Sequence, residues 1–473
     1  MRRRSFGRVQ ARLLPLLILS CASCATSGVV YPARIAPGAA PTQSDLGARL
    51  DAVVAQFPSG RVVYPASSLL EKIGAGVVTL AYLAADVAQS IADQTVPADA
   101  KQLLAATRGL DASVCSERGP SPAPRDGRRH PPRQSYARVW IPVSDGGATT
   151  GDCPANSGAG HLCLAGRLAL QPGKSRLILV VPGLFHSADH RYVMDIGDLL
   201  YAQGHSVLLI DVRAHGQTFW SQPWAETTLG LREGSELLAV ARRVRDVCPD
   251  AVQDVGALGF SGGGLFAMRA FAAQPEVLRG GVLAVSPPLD LAYTIETMSN
   301  TQGDGDPQSC FMAAAPFSPC LAEGGIGHYF MELLRRRQKT LSEKGLMGAP
   351  RERVTATEFM KEHVIAKHGD PRRAITPVRL AHEIRKAEAR RSGTSLVILT
   401  SRDDPVVGDK PAAELAGELG MDKGQGLGKR SVRLYRLDHG GHIAFPVVYP
   451  GLFPRFIRTL FCHGAPCADE AAR

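Results

Sequence analysis

The chain has 473 residues, 45% of them hydrophobic and 21% charged, with a formal net charge of +10. That is the balance of a folded protein with room for a large catalytic core, and it excludes wholesale disorder. Five arginines near the start (Arg2, Arg3, Arg4, Arg8 and Arg12) carry half of the charge with no acid beside them, so what remains is a solubility feature and not a nucleic-acid footprint.

After those arginines comes an apolar run, 13–19, and then Ser20-Cys21-Ala22-Ser23-Cys24. The run is too short to span a bilayer and reads as the hydrophobic region of a signal peptide over 1–24. Ile18-Leu19-Ser20-Cys21 resembles a bacterial lipoprotein signal, although Leu19 is bulkier than that pattern usually carries. The resemblance implies lipid attachment at Cys21, and a protein held at the periplasmic side of a bacterial membrane. The alternatives are Cys24, or ordinary signal-peptidase cleavage near Ala22 or Ala25, followed by secretion.

Residues 25–133 form an N-terminal extension and linker. Within it, 28–60 is rich in Ala, Pro, Gly and Ser and suits a tether. Apolar residues at spacings of three and four predict a helix over 69–91. A second helix is expected over 98–108, and a Pro/Gly/Arg linker over 116–133. The basic patch at 125–129 lies in that linker, and the one at 335–339 reads as a solvated helix face. Weak attraction to anionic lipid is the alternative for both.

From 134 to 473 strands alternate with helices. Strands are predicted at 136–143, 163–170, 176–181, 206–211, 255–260, 281–286, 396–400 and 431–437. Helices are predicted at 188–202, 233–247, 264–273 and 449–461. This is the pattern of an α/β protein with a doubly wound, mostly parallel sheet covered on both faces. The rhythm stops over about 288–392, which is helical in places (332–341 and 357–368). A cap insertion is expected there, above the C-terminal edge of the sheet where ligands bind.

Beyond Cys21 and Cys24 the chain holds eight cysteines, an even set that suits an oxidising compartment. Cys153 with Cys163, Cys310 with Cys320, and Cys462 with Cys467 would close local loops. Cys115 with Cys248 is left over. Free thiols are the alternative. No Cys/His ligand cluster appears in the mature chain, so no metal is expected.

The chemistry centres on Gly259-Phe260-Ser261-Gly262-Gly263. It follows an apolar strand and opens a helix, the context of a nucleophile elbow. The turn demands small residues two before and two after the serine, and it aims the Gly262 N–H at a developing oxyanion. His442, after Gly440-Gly441, is the candidate base, and His439 is read as structural. Asp404 is the candidate acid, with Asp403 as runner-up. Ser, Asp and His each follow a predicted strand in that order.

With these residues in hand, 135–461 resembles the α/β-hydrolase superfamily, in its esterase- and lipase-like branch. Pro182-Gly183-Leu184-Phe185-His186 follows the 176–181 strand where many members have His-Gly before the second oxyanion donor. The resemblance makes Leu184 that donor, with Phe185 as the alternative, and puts Pro182 where the histidine is common. Asp211-Val212-Arg213-Ala214-His215-Gly216 is similar to the family's Asp-x-Arg-Gly-His-Gly turn, which implies a structural His215. Gly440 to Phe445 matches the terminal histidine loop.

The resemblance implies hydrolysis of a small-molecule carboxylic ester through an acyl-enzyme, with no cofactor. No protein or nucleic-acid partner is expected. The alternatives are a non-catalytic scaffold of the same fold, or a peptidase or acyltransferase using the same three residues.

Overall fold

Short apolar runs build the sheet. Its strands are β1 (Arg108–Gly109), β2 (Ala137–Val143), β3 (Leu162–Ala169), β4 (Ser175–Val181), β5 (Ser206–Asp211), β6 (Val252–Phe260), β7 (Val282–Val285), β8 (Leu396–Ser401) and β9 (Val432–Leu437). They pair in the order β1-β2-β3-β5-β4-β6-β7-β8-β9. β3 is antiparallel to both neighbours and every other pair is parallel. This computed structural model describes residues 43–56, 89, 95–116, 136–143, 153, 162–299, 325–346, 355–390, 392–404, 406–421, 431–438, 440–443, 445–449 and 451–463.

Continuous apolar runs are what strands buried on both faces require. In β4, Leu177, Leu179 and Val181 join one core, while Ile178 and Val180 join the other. The period of two sends alternate side chains to opposite faces.

The helices form the covering layers. They are α1 (Gln43–Val54), α2 (Arg191–Ala202), α3 (Glu233–Val247), α4 (Gly262–Ala273), α5 (Leu291–Ser299), α6 (Gly325–Glu343), α7 (Pro377–Ala389), α8 (Lys410–Leu419) and α9 (Leu452–Phe461), with shorter helices between. One layer joins α3 to α4, α4 to α7 and α7 to α8; on the other face α1 lies against α9.

The stretch 288–392 divides. α5, α6 and the short helix Ala356–Phe359 pack on one another, and the chain continues through a π-helical segment, Met360–Ile365. α7 instead lies against α4 and α8 and carries the chain from β7 to β8.

Four expectations change. Residues 43–54 are not tether: Leu46, Leu50 and Val53, spaced by four and three, are buried against the main domain as α1. The helix expected over 98–108 runs over Ala100–Ala105, and its last expected residue, Arg108, opens β1 instead. A short helix, Gly216–Ser221, follows β5 where none was expected. The basic run 335–339 is not uniformly solvated. Arg335 and Arg336 pair with Glu332 on the surface, but Arg337 is wholly buried.

Two cysteine pairs, Cys115 with Cys248 and Cys153 with Cys163, lie at disulfide distance with Cα atoms 5.4 and 6.0 Å apart. The 1–24 segment with Cys21 and Cys24, most of the 69–91 helix, the 116–133 linker beyond Ser116, Cys310, Cys320, Cys467 and His439 lie outside the described residues.

Candidate active site

Ser261 stands between β6 and α4 with φ 50° and ψ −120°. A non-glycine residue in that region is strained, and surrounding structure must hold it there. Ser261 N–H donates to Val285 O at 2.8 Å, and Leu265 N–H to Ser261 O at 3.1 Å. The flanking glycines supply the space. A Cβ on Gly259 would fall 2.1 Å from Gly263 O, and one on Gly263 2.3 Å from Pro182 O. The serine is thereby presented where β5 and β6 flank β4 on opposite sides, the crevice at which open α/β sheets bind ligands.

The loop after β9 brings the histidine. Gly440 has φ 152°, and a Cβ there would meet the Phe445 ring at 2.4 Å; Gly441 has φ 52°. Gly441 is fastened on both sides. Its N–H donates to Asp403 Oδ1 and its carbonyl accepts the Ser401 hydroxyl, both at 2.9 Å. The result puts His442 Nε2 2.8 Å from Ser261 Oγ.

His442 Nδ1 faces Asp404 Oδ1 and Oδ2 at 3.1 and 3.0 Å. The Asp404 side chain is fully buried. Its Oδ1 also accepts the N–H groups of Val406 and Val407 at 2.9 and 3.1 Å. With Nδ1–H donating to this carboxylate, the Nε2 lone pair faces the serine hydroxyl. Asp403, the runner-up, therefore orients the loop while Asp404 faces the imidazole.

The 182–186 loop follows β4. Pro182 has no N–H. Gly183 N–H donates to Tyr192 Oη at 2.8 Å, Phe185 N–H to His215 Nε2 at 3.1 Å and His186 N–H to Gly183 O at 3.0 Å. Leu184 N–H makes no hydrogen bond among the described residues, and Leu184 N lies 3.3 Å from where a Gly262 Cβ would be. Gly262 is the first residue of α4, so its own N–H has no intrahelical partner. Two unspent donors thus flank the serine, and the His215 bond occupies the alternative, Phe185.

Support for this loop comes from buried polar groups. His215 Nδ1–H donates to Arg213 O at 2.6 Å, leaving Nε2 as acceptor for Phe185. Burial pushes His215 down to about 4, so it is neutral near pH 7. Asp211 accepts the N–H groups of Ala188 and Gln217 at 2.6 and 2.9 Å, tying the loops after β4 and β5 together. Burial pushes its carboxyl up to about 6. Tyr192 bonds both Gly183 and His186 Nδ1, the latter at 3.1 Å. No sequence signal marks Tyr192, which occupies an ordinary helical position at the start of α2.

A small cleft opens at Ser261. Leu229, Leu265, Phe266, Leu291, Ile295 and Met298 form much of its wall, with Leu291, Ile295 and Met298 coming from α5. Its lining contains no charged side chain among the described residues. Nor, among the described residues, does any His/Cys/Asp/Glu cluster suit a metal ion, or any helix have the length and apolarity to cross a membrane.

A family model described as the α/β hydrolase fold matches residues 176–447, more than half of the chain. Among solved structures, the esterase Pf2001 of Pyrococcus furiosus is 17% identical, with 69% of this chain and 91% of that chain covered and a TM-score of 0.41. Est1E from Butyrivibrio proteoclasticus is 14% identical, with 68% and 96% covered and a TM-score of 0.36. The α/β hydrolase GrgF from Penicillium sp. is 14% identical, with 69% and 98% covered and a TM-score of 0.41. A search of curated protein sequences found no match.

Proposed function

We propose that this chain, which belongs to the α/β-hydrolase fold family, hydrolyses carboxylic esters with Ser261 as nucleophile. The observation that carries the reading is the continuous run of contacts from Ser261 Oγ through His442 to Asp404, at 2.8 and 3.0 Å. In this mechanism His442 Nε2 takes the hydroxyl proton as Oγ attacks the ester carbonyl. Asp404 holds the imidazolium that forms. The N–H groups of Leu184 and Gly262 receive the oxyanion, each donor contributing about 3 kcal/mol to the transition state. His442 returns the proton to the leaving alcohol, and water activated by the same imidazole releases the acid.

The apolar cleft supports an uncharged acyl group over a charged one, since among the described residues its lining holds no charged side chain and only Ser261 and Thr294 as polar ones. A fluorophosphonate probe tests the nucleophile. Wild type is expected to be labelled and Ser261→Ala not; labelling of both, or of neither, would refute the reading. Turnover of p-nitrophenyl esters, with little or none of peptide p-nitroanilides, separates an esterase from a peptidase.

Our reading adds an envelope address, with Cys21 lipidated and the catalytic domain on the periplasmic side. The support is the basic start and the 13–19 apolar run, together with two cysteine pairs at disulfide distance. Metabolic labelling with an alkyne palmitate analogue, lost in Cys21→Ala, is the test.

A further inference from the structure

We propose that Arg337, from the inserted helix α6, is a positioning residue for the loop that carries Leu184. The inference rests on reading Leu184 N–H as an oxyanion donor. Arg337 is fully buried. Its guanidinium lies between two rings, 4.8 Å from the centre of Phe185 and 3.9 Å from that of Phe219. Nη1 donates to Ala214 O at 3.0 Å and Nη2 to Glu226 Oε2 at 2.9 Å.

The two residues it grips are both strained. Phe185 and Ala214 are non-glycine residues with φ of 65° each. Phe185 directly follows Leu184. Ala214 directly precedes His215, whose Nε2 holds the Phe185 N–H. One planar cation therefore presses on the Phe185 side chain and also fixes the turn that fastens the Phe185 main chain. Phe359, from the same insertion, packs edge-on against Phe185 with ring centres 6.0 Å apart. Relaxing Phe185 to a negative φ would re-aim the loop, the Leu184 N–H included.

Stability is a poor explanation for such a group. A buried ion pair rarely outperforms well-packed apolar side chains, and here the second oxygen of the partner, Glu226 Oε1, is buried without a hydrogen bond among the described residues. Geometry is the better explanation. Arginine alone combines a permanent charge, a flat face for stacking and a fork of donors. A lysine could keep the charge towards Glu226 but could not lie flat between the rings. Through Arg337, docking of the insertion completes the oxyanion site.

The test uses the full chain with two variants, Arg337→Lys and Phe185→Leu, the second leaving the Arg337–Glu226 pair intact. Steady-state hydrolysis of a p-nitrophenyl ester is measured beside inhibition by a trifluoromethyl ketone, whose hemiketal oxygen occupies the oxyanion position. The expected result is a fall in kcat of about 10- to 100-fold with KM within about three-fold, since small misplacements carry penalties of that order. Inhibitor affinity should weaken by the same factor as kcat/KM. A purely structural role would lower the melting temperature without that parallel loss. Variants that keep kcat within two-fold of wild type, or that lose activity through KM alone, overturn the inference. Should Arg337→Lys not fold, Phe185→Leu decides by the same criteria. A wild type that neither turns over esters nor reacts with a fluorophosphonate overturns the hydrolase reading itself; an active wild type with unaffected variants overturns this inference alone.

Discussion

Asp403 and Asp404 are neighbours in sequence that hold the same histidine loop by different handles. Asp404 meets His442 Nδ1 at 3.0 Å, and Asp403 Oδ1 receives the N–H of Gly441, the residue just before that histidine, at 2.9 Å. The division predicts unequal variants. Asp404→Asn should lower kcat by about 10⁴-fold, because the amide favours the wrong imidazole tautomer. Asp403→Asn keeps an acceptor for Gly441 and should cost about ten-fold or less, by analogy with other orienting bonds. Steady-state ester hydrolysis checks both, and equal losses would contradict the assignment.

The three glycines around Ser261 are predicted to differ. Gly259→Ala and Gly263→Ala drive a methyl to 2.1 and 2.3 Å from backbone carbonyls, which cannot move aside. Each should destabilise by about 3 kcal/mol or more. In Gly262→Ala the new atom meets Leu184 at 3.3 Å. There urea unfolding should change by less than about 1 kcal/mol, while kcat falls as Leu184 is displaced. Uniform destabilisation across the three would count against the elbow geometry.

The cleft predicts which substitutions alter acyl preference. Met298 and Ile295 project from α5 into its wall. Enlarging either (Ile295→Trp or Met298→Trp) should shift the best p-nitrophenyl ester to a shorter acyl chain, with discrimination of about ten-fold or more per methylene. An unchanged chain-length profile in both would show that the acyl group lies elsewhere.

His215 predicts a pH signature in stability. Its folded pKa, about 4, is below the ordinary histidine value of 6.5 because burial disfavours the charge. The contribution is therefore full above about pH 6.5 and is lost as pH falls from 6.5 towards 4, when the unfolded chain binds a proton that the folded chain does not. The slope approaches about 1.4 kcal/mol per pH unit. His215→Gln cannot titrate, so the stability gap between it and wild type should narrow from pH 7.5 to 4.5 in urea titrations. A gap independent of pH would mean that His215 ionises alike in both states.

Much of this organisation is legible in local sequence. The strand before Ser261, the helix after it and the glycines at 259 and 263 are consequences of one tight turn, whose steric demands fall within five consecutive residues. β4 and β5 are equally plain, because strands buried on both faces need unbroken apolar runs. Segments with mixed roles read less well. α1 lies in a stretch rich in Ala and Pro, and only its docking against α9 separates it from a tether. The π-helical segment at 360–365 has the composition of an ordinary helix.

The positions of Ser261 and His442, and the order of serine, aspartates and histidine along the chain, are legible in the sequence, since each follows a predicted strand. Tertiary structure decided what depends on distance between remote residues. It set Asp404 against His442 Nδ1 and Asp403 against the Gly441 N–H, because two adjacent side chains of equal chemistry differ only in what they face. It separated Leu184 from Phe185, because an N–H is available only if nothing else binds it, and His215 binds one of the two. It also buried Arg337 between Phe185 and Phe219, where composition suggested a solvated face. Charge patterns report the average habit of a residue type, whereas burial is set by the partners that the fold brings within reach.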